Sequence, residues 1–249
     1  MNDFEQPYES DLAASVASHF GEFRRPPALL CLGGRQWQFG KLLATHAKID
    51  KIVYAANDEH EKELAEKDAV TAVVCDAADS EQISKLQKHE IVVMKNTLEQ
   101  VAARIGQLDD YMVAIYKAVK LKGVAVIVAR LRPTLPLPEK VLLKWKQHVP
   151  DEAQLQQAVH DTGLGIEIKL HKVAYDCNVT KKQWTEVLKK KQLPYCDDLT
   201  DKEIKAAVEK FKTDKMNFKD EVYTITVRKR IERLQRDETG VIIDDGLDM

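Results

Sequence analysis

Residues 123–139 read GVAVIVARLRPTLPLPE, and the change of character inside that stretch decides the fold. Gly123 to Ala129 is an unbroken apolar run, rich in valine, of the kind that suits a strand covered on both faces. Pro133, Pro136 and Pro138 follow; they cannot continue a strand, and Pro138 stands where a helix begins. Four similar apolar runs precede this one: Ala28 to Leu32 (ALLCL), Lys51 to Ala55 (KIVYA), Val70 to Cys75 (VTAVVC) and Ile91 to Met94 (IVVM). The intervening stretches, Gln36 to His46, Glu59 to Glu66, Ser80 to Lys88 and Asp109 to Lys120, read as helices. The last carries Met112, Ile115, Tyr116 and Val119 on one stripe. Strand and helix in alternation predict a parallel, doubly wound α/β sheet with right-handed crossovers.

Beyond the prolines the rhythm differs. Glu139 to His148 reads as a helix, Asp151 caps a second over roughly 153–161, and Gly163 and Gly165 lead into a strand at Ile166 to Val173. Thr180 and Thr200 each cap an amphipathic helix, and VYTITV, Val222 to Val227, is a seventh strand. The sequence thus predicts one domain over residues 1–230 with a helical insert around 178–213. An acidic tail, 231–249, is expected to be loose.

Five parallel strands, a proline-rich exit and two late strands separated by helices resemble the class I S-adenosylmethionine-dependent methyltransferases. In that family the sheet is Rossmann-like, mostly parallel and seven-stranded, with an antiparallel last strand. The resemblance covers roughly residues 10–230 and implies S-adenosylmethionine as cofactor and methyl transfer as activity. It directs attention to the first βα turn, because open α/β sheets bind ligands at the carboxyl ends of their strands. The turn reads Cys31-Leu32-Gly33-Gly34-Arg35-Gln36-Trp37. Against the family's acid followed by Gly-x-Gly-x-Gly, Gly33 matches the first glycine and Gly34 the position after it. Arg35 and Trp37 replace the other two glycines, and Cys31 replaces the acid.

The resemblance also implies an acid at the end of the second strand to accept the ribose hydroxyls. Ala56 stands nearest that place, with Asn57 and Asp58 just beyond. Asp76, after the third strand, matches the position that meets the adenine. Asn96, after the fourth, lies on the cofactor edge, and Leu121-Lys122-Gly123-Val124 partly matches the family's turn before strand five. Tyr8, Arg130 and Arg132 are implied to face a substrate. No metal site is implied: the four cysteines form no CxxC pair, and none of the seven histidines stands at zinc-finger spacing.

The bland readings are packing and turns. Gly33 and Gly34 suit any strand-to-helix turn, Asp76 suits a turn cap, and Cys31 and Cys75 sit in apolar strands as small core residues. Lys and Arg number 38 against 40 Asp and Glu, which argues against a broadly basic nucleic-acid coat. Yet residues 113–149 hold eight cations and only Glu139 as an acid, and the tail from Ile231 holds six acids and two arginines. The basic stretch implies an anionic substrate or RNA. The acidic, polar N-terminus and the lack of a long apolar run predict a cytoplasmic or nuclear protein, neither secreted nor membrane-bound. Two functions compete. One is a methyltransferase acting on an unidentified anionic substrate, with a small molecule, a protein or RNA as candidates. The other is a pseudoenzyme that keeps the fold as a structural or protein-binding subunit, suggested by Arg35, Trp37 and Ala56.

Overall fold

The computed structural model describes residues 4–33 and 37–229. Gly34, Arg35 and the acidic tail 231–249 lie outside the described residues. Seven strands form one sheet: β1 (Ala28–Leu32), β2 (Lys51–Ala56), β3 (Thr71–Val74), β4 (His89–Lys95), β5 (Val119–Ala129), β6 (Ile166–Thr180) and β7 (Lys215–Lys229). Their order is β3-β2-β1-β4-β5-β7-β6. β1 to β5 run parallel, and β7 enters antiparallel between β5 and β6. The doubly wound sheet with an antiparallel last strand is the architecture read from the sequence.

Alternation along each strand feeds two apolar layers. Leu29 and Cys31 of β1 and Val126 and Val128 of β5 point into one. Leu30, Leu32, Ala125 and Ile127 point into the other. The first layer is completed by α1 (Glu9–Ser18), α2 (Trp37–His46) and α3 (Glu59–Lys67), then by α7 (Glu139–His148), α9 (Lys181–Lys189) and α10 (Asp201–Glu209). The second is covered by α4 (Ser80–Lys85), α5 (Thr97–Val101), α6 (Leu108–Ala118) and α8 (Glu152–Asp161). Local chemistry sets the helix starts: Asp58 and Asp79 cap α3 and α4, and capping boxes at Asp151, Thr180 and Thr200 open α8, α9 and α10.

Three differences from the sequence reading matter. α1 and α5 were not foreseen, and α1 brings the N-terminal segment onto the sheet. Residues 121–124 are no turn: they lie inside β5, where the register against β4 jumps from His89↔Val119 to Ile91↔Val124. Lys122 adopts φ 67° in this bulge, and a side chain on Gly123 would run into the Glu90 carbonyl, so the backbone contact itself demands glycine. Finally, β6 and β7 pair over 15 positions, of which only Tyr223 to Arg228 also pair with β5. The hairpin therefore extends past the carboxyl end of β5, and the helical insert hangs from its far end, with residues 178–180 belonging to β6. No helix among the described residues is long and apolar enough to cross a membrane.

Candidate functional site at the carboxyl edge of the sheet

The strand order reverses between β1 and β4, so the crevice of this sheet opens at their carboxyl ends. On its β4–β5 side the crevice is filled by charge. Lys95 ends β4, Asn96 follows in a left-handed conformation, and Arg130 follows β5 directly. Facing them are Glu5 and Tyr8 from the N-terminal segment and Asp220 from the overhanging part of β7. All six are buried, Arg130 at 2% exposure.

Arg130 is the hub. Its Nε donates to Asp220 Oδ1 at 2.8 Å and its Nη2 to Asp220 Oδ2 at 2.7 Å, a bidentate pair. Nη2 also reaches Glu5 Oε1 at 2.5 Å, and Nη1 donates to Asn96 Oδ1 at 2.8 Å. Asn96 Nδ2 returns to Glu5 Oε1, and Lys95 Nζ takes Glu5 Oε2 at 2.5 Å with Glu9 beside it at 3.4 Å. The Tyr8 hydroxyl donates to Asp220. Phe4 covers the Arg130 guanidinium and meets the edge of Trp184 of α9, while Tyr8 stacks on Tyr175 at 4.3 Å. Burial alone would raise the Glu5 pKa, but Lys95 and Arg130 overcome it and hold this carboxylate far below the ordinary range. The same carboxylates push the Arg130 pKa still higher against its desolvation. Burial, with the neighbouring acids, raises the Tyr8 phenol, which stays neutral.

Tyr8 and Arg130 therefore do not line an open cleft, as the resemblance implied. Their polar atoms are engaged with one another and with acids that sequence reading passed over: Glu5, Asp220 and, on Lys95, Glu9. Arg132 is partly exposed but bonded to the Leu131 and Val149 carbonyls and paired with Asp151 at 3.3 Å. Within the basic stretch 113–149, Lys120, Lys140 and Lys144 also have carboxylate partners, leaving Lys117, Lys122 and Lys146 as cations without an ion pair among the described residues.

The β1–β3 side is also largely engaged. Gly33 adopts φ 98°, and a Cβ there would fall inside the Thr97 side chain, whose hydroxyl donates to the Leu32 carbonyl. This glycine is thus required by the packing of α5. Trp37 is buried against Tyr54 with its Nε1 donating to Asp68 Oδ2 at 2.7 Å, on the α3 flank of the sheet. Ala56 is buried, Asn57 is exposed and donates its N–H to Glu61, and Asp58 caps α3. Asp76 accepts from Ala78 N–H and pairs with Arg104 at 2.9 Å, while the cap of α4 falls to Asp79. Burial pushes the Cys31 and Cys75 thiols up to about 12 and about 11, which suits inert core residues.

Gly33 offers a direct test. Gly33→Ala is expected to cost roughly 2–4 kcal/mol, from overpacking and from the left-handed backbone. Chemical denaturation should show much of that loss recovered in Gly33→Ala/Thr97→Ala. A glycine kept only for a ligand would lose binding with stability unchanged.

Searches by sequence and by structure give different answers. No protein-family model and no curated protein sequence matches the chain. Solved structures do match its backbone. A phosphoethanolamine N-methyltransferase from Haemonchus contortus, in complex with phosphomonomethylethanolamine and S-adenosylhomocysteine, aligns at 16% identity over 88% of this chain and 52% of its own, with a TM-score of 0.53. A geranyl diphosphate methyltransferase in complex with S-adenosylmethionine aligns at 14% identity over 90% and 86%, with a TM-score of 0.52. This chain has the class I methyltransferase fold. The same fold carries the [4+2]-cyclase SpnF, which aligns at 17% identity over 90% and 81% with a TM-score of 0.52. Tested against the cofactor bound in two of these structures, the donor set here fits poorly. Among the described residues, the end of β2 offers no carboxylate in the family's ribose position, and Asp76 is already paired.

Proposed function

We propose that this chain uses the methyltransferase fold as a closed scaffold that binds a partner, and does not transfer methyl groups. The observation that carries the reading is the buried network of Glu5, Tyr8, Lys95, Asn96, Arg130 and Asp220, which fills with the protein's own groups the side of the crevice where an acceptor would stand. Methyl transfer depends on aligning a nucleophile with the sulfonium methyl, so it needs open space beside the cofactor. To open that space here, the N-terminal segment would have to leave, stripping Lys95 of Glu5 and Glu9 and leaving Arg130 with Asp220 as its one remaining acid. The fold does not decide against this reading, since one fold hosts unrelated functions.

A second reading is favoured by one feature. Asn57 is exposed at the end of β2 and Asp76 stands half-exposed at the end of β3, along the edge where the family holds the nucleoside. On this reading the chain binds S-adenosylmethionine and transfers its methyl group to an anionic acceptor after the N-terminal segment moves. Calorimetric titration with S-adenosylmethionine and S-adenosylhomocysteine separates the two. The scaffold reading expects no heat and no thermal shift at millimolar ligand. Micromolar binding, followed by turnover on any acceptor, sinks it.

A further inference from the structure

The opposite edge of the sheet carries a feature that neither reading uses. Between the α1–β1 connection and the α2–β2 connection lies a cavity of about 390 Å³, within the range of small-molecule pockets. Phe20, Phe23 and Ile91 line it together with Arg24, Arg25 and Lys48. Phe20 is buried and the three cations are exposed at the rim.

Several basic side chains lie within 4 Å of a carboxylate, from Lys95 inside to Lys140 and Lys144 on the surface. Among the described residues Arg24, Arg25 and Lys48 have none, and no acid lines the cavity. The nearby carboxylate of Glu90 is engaged on both oxygens, by Lys120 Nζ at 2.7 Å and Ala28 N–H at 3.1 Å. Arg228, anchored on the His19 carbonyl, adds a fourth positive charge behind Gly21. Arg25 precedes Pro26 and Pro27, which bias its backbone to the extended region and reduce the ordering needed to present the guanidinium. Two arginines and a lysine lining one opening supply the positive charge and N–H donors that a phosphate takes, arginine in paired fashion. Phe20, buried, and Phe23, half-buried, add an apolar surface to the same cavity.

We propose that this pocket binds a small phosphate monoester whose apolar or aromatic body rests on Phe20 and Phe23. The site is remote from the crevice and stands whichever reading of the crevice is right. Phenyl phosphate is the probe, titrated calorimetrically into the full chain at low and at physiological salt. We expect binding that weakens as salt is added, that falls by at least about tenfold in Arg24→Gln/Arg25→Gln, and that phenol does not reproduce. The variant should melt at the wild-type temperature, because the exchanged side chains are exposed and unpaired. Absence of heat at millimolar phenyl phosphate, or equal affinity of wild type and variant, overturns the proposal. If inorganic phosphate binds as tightly as phenyl phosphate, the two phenylalanines contribute nothing and the assignment to a monoester fails.

Discussion

Arg130→Met is expected to cost the protein about 3–5 kcal/mol, the penalty for stranding buried carboxylates without their cation. Glu5 and Asp220 are 0% exposed, so neither can recruit water once the guanidinium is gone. Urea denaturation should show the loss directly, and the melting temperature should fall by about 10 °C, given roughly 2–4 °C per kcal/mol for a chain of this size. Met keeps most of the volume, so the loss isolates charge from packing. The triple variant Glu5→Gln/Arg130→Met/Asp220→Asn should recover part of it, because neither former carboxylate partner of Arg130 is then ionised and Lys95 keeps Glu9 at 3.4 Å. A loss below about 1 kcal/mol in the single variant, typical of an exposed pair, means that the network is solvated and the crevice open. The pH dependence has a defined sign. Glu5 titrates far below its unfolded value of 4.5, so its contribution is fully present above that pH and is lost progressively as the pH falls beneath it.

Glu99→Gln is expected to stabilise the protein at pH 8 by about 3 kcal/mol. Glu99 lies on α5 next to the network, 1% exposed, with Oε1 accepting the Arg130 N–H at 2.6 Å and Oε2 without a partner among the described residues. Burial is the main cause that lifts its pKa to about 7, against the opposing pull of Arg130. The folded state therefore holds this proton more tightly than the unfolded one, whose value is near 4.5. Stability from this group is greatest below pH 4.5 and declines as the pH rises to about 7, above which the carboxylate stays buried and charged. His19 and His89, whose pKa values burial lowers, act with the opposite sign below pH 6.5, so the informative quantity is wild type minus variant. That difference should be small at pH 4.5 and level off above pH 7. Measured unfolding free energies across this range that run parallel for the two proteins would mean that Glu99 is hydrated.

The sheet was legible because its signals are local. Ala28 to Leu32 and Glu139 to His148 coincide with observed elements, since an unbroken apolar run and a proline-initiated amphipathic helix are each complete within a dozen residues. β6 and β7 were read as roughly half their length because polar and charged residues such as Asp176, Asn178, Lys215, Asn217 and Lys219 interrupt the apolar pattern of the overhanging hairpin, although Cys177, Val179 and Met216 are buried there. α1, with only Leu12, Ala13 and Val16 as apolar buried anchors among polar residues, gave a faint stripe, and α5 is one turn long. The network escaped for another reason. Tyr8 and Asp220 are 212 residues apart, and Glu5 and Arg130 are 125 apart, so no motif joins them. One sign was nonetheless present: Lys95 and Arg130 each follow a fully apolar run, Ile91 to Met94 and Gly123 to Ala129, without a turn residue between. A charge in that place requires a buried counter-charge, and the sequence alone does not say which acid supplies it.

Those separations also impose an order on how the molecule is made. Glu5 and Tyr8 are synthesised more than 200 residues before Asp220, their shared neighbour around Arg130. At ordinary elongation rates of about 5–20 residues per second, roughly 10–40 s pass between the two. During that interval the five parallel strands can assemble while Arg130 and Lys95 wait at an unfinished edge, and the first helix has nowhere complete to dock. Closure of the crevice during synthesis thus waits for residue 220, and a nascent chain stalled before that point would keep the Arg130 and Lys95 edge incomplete.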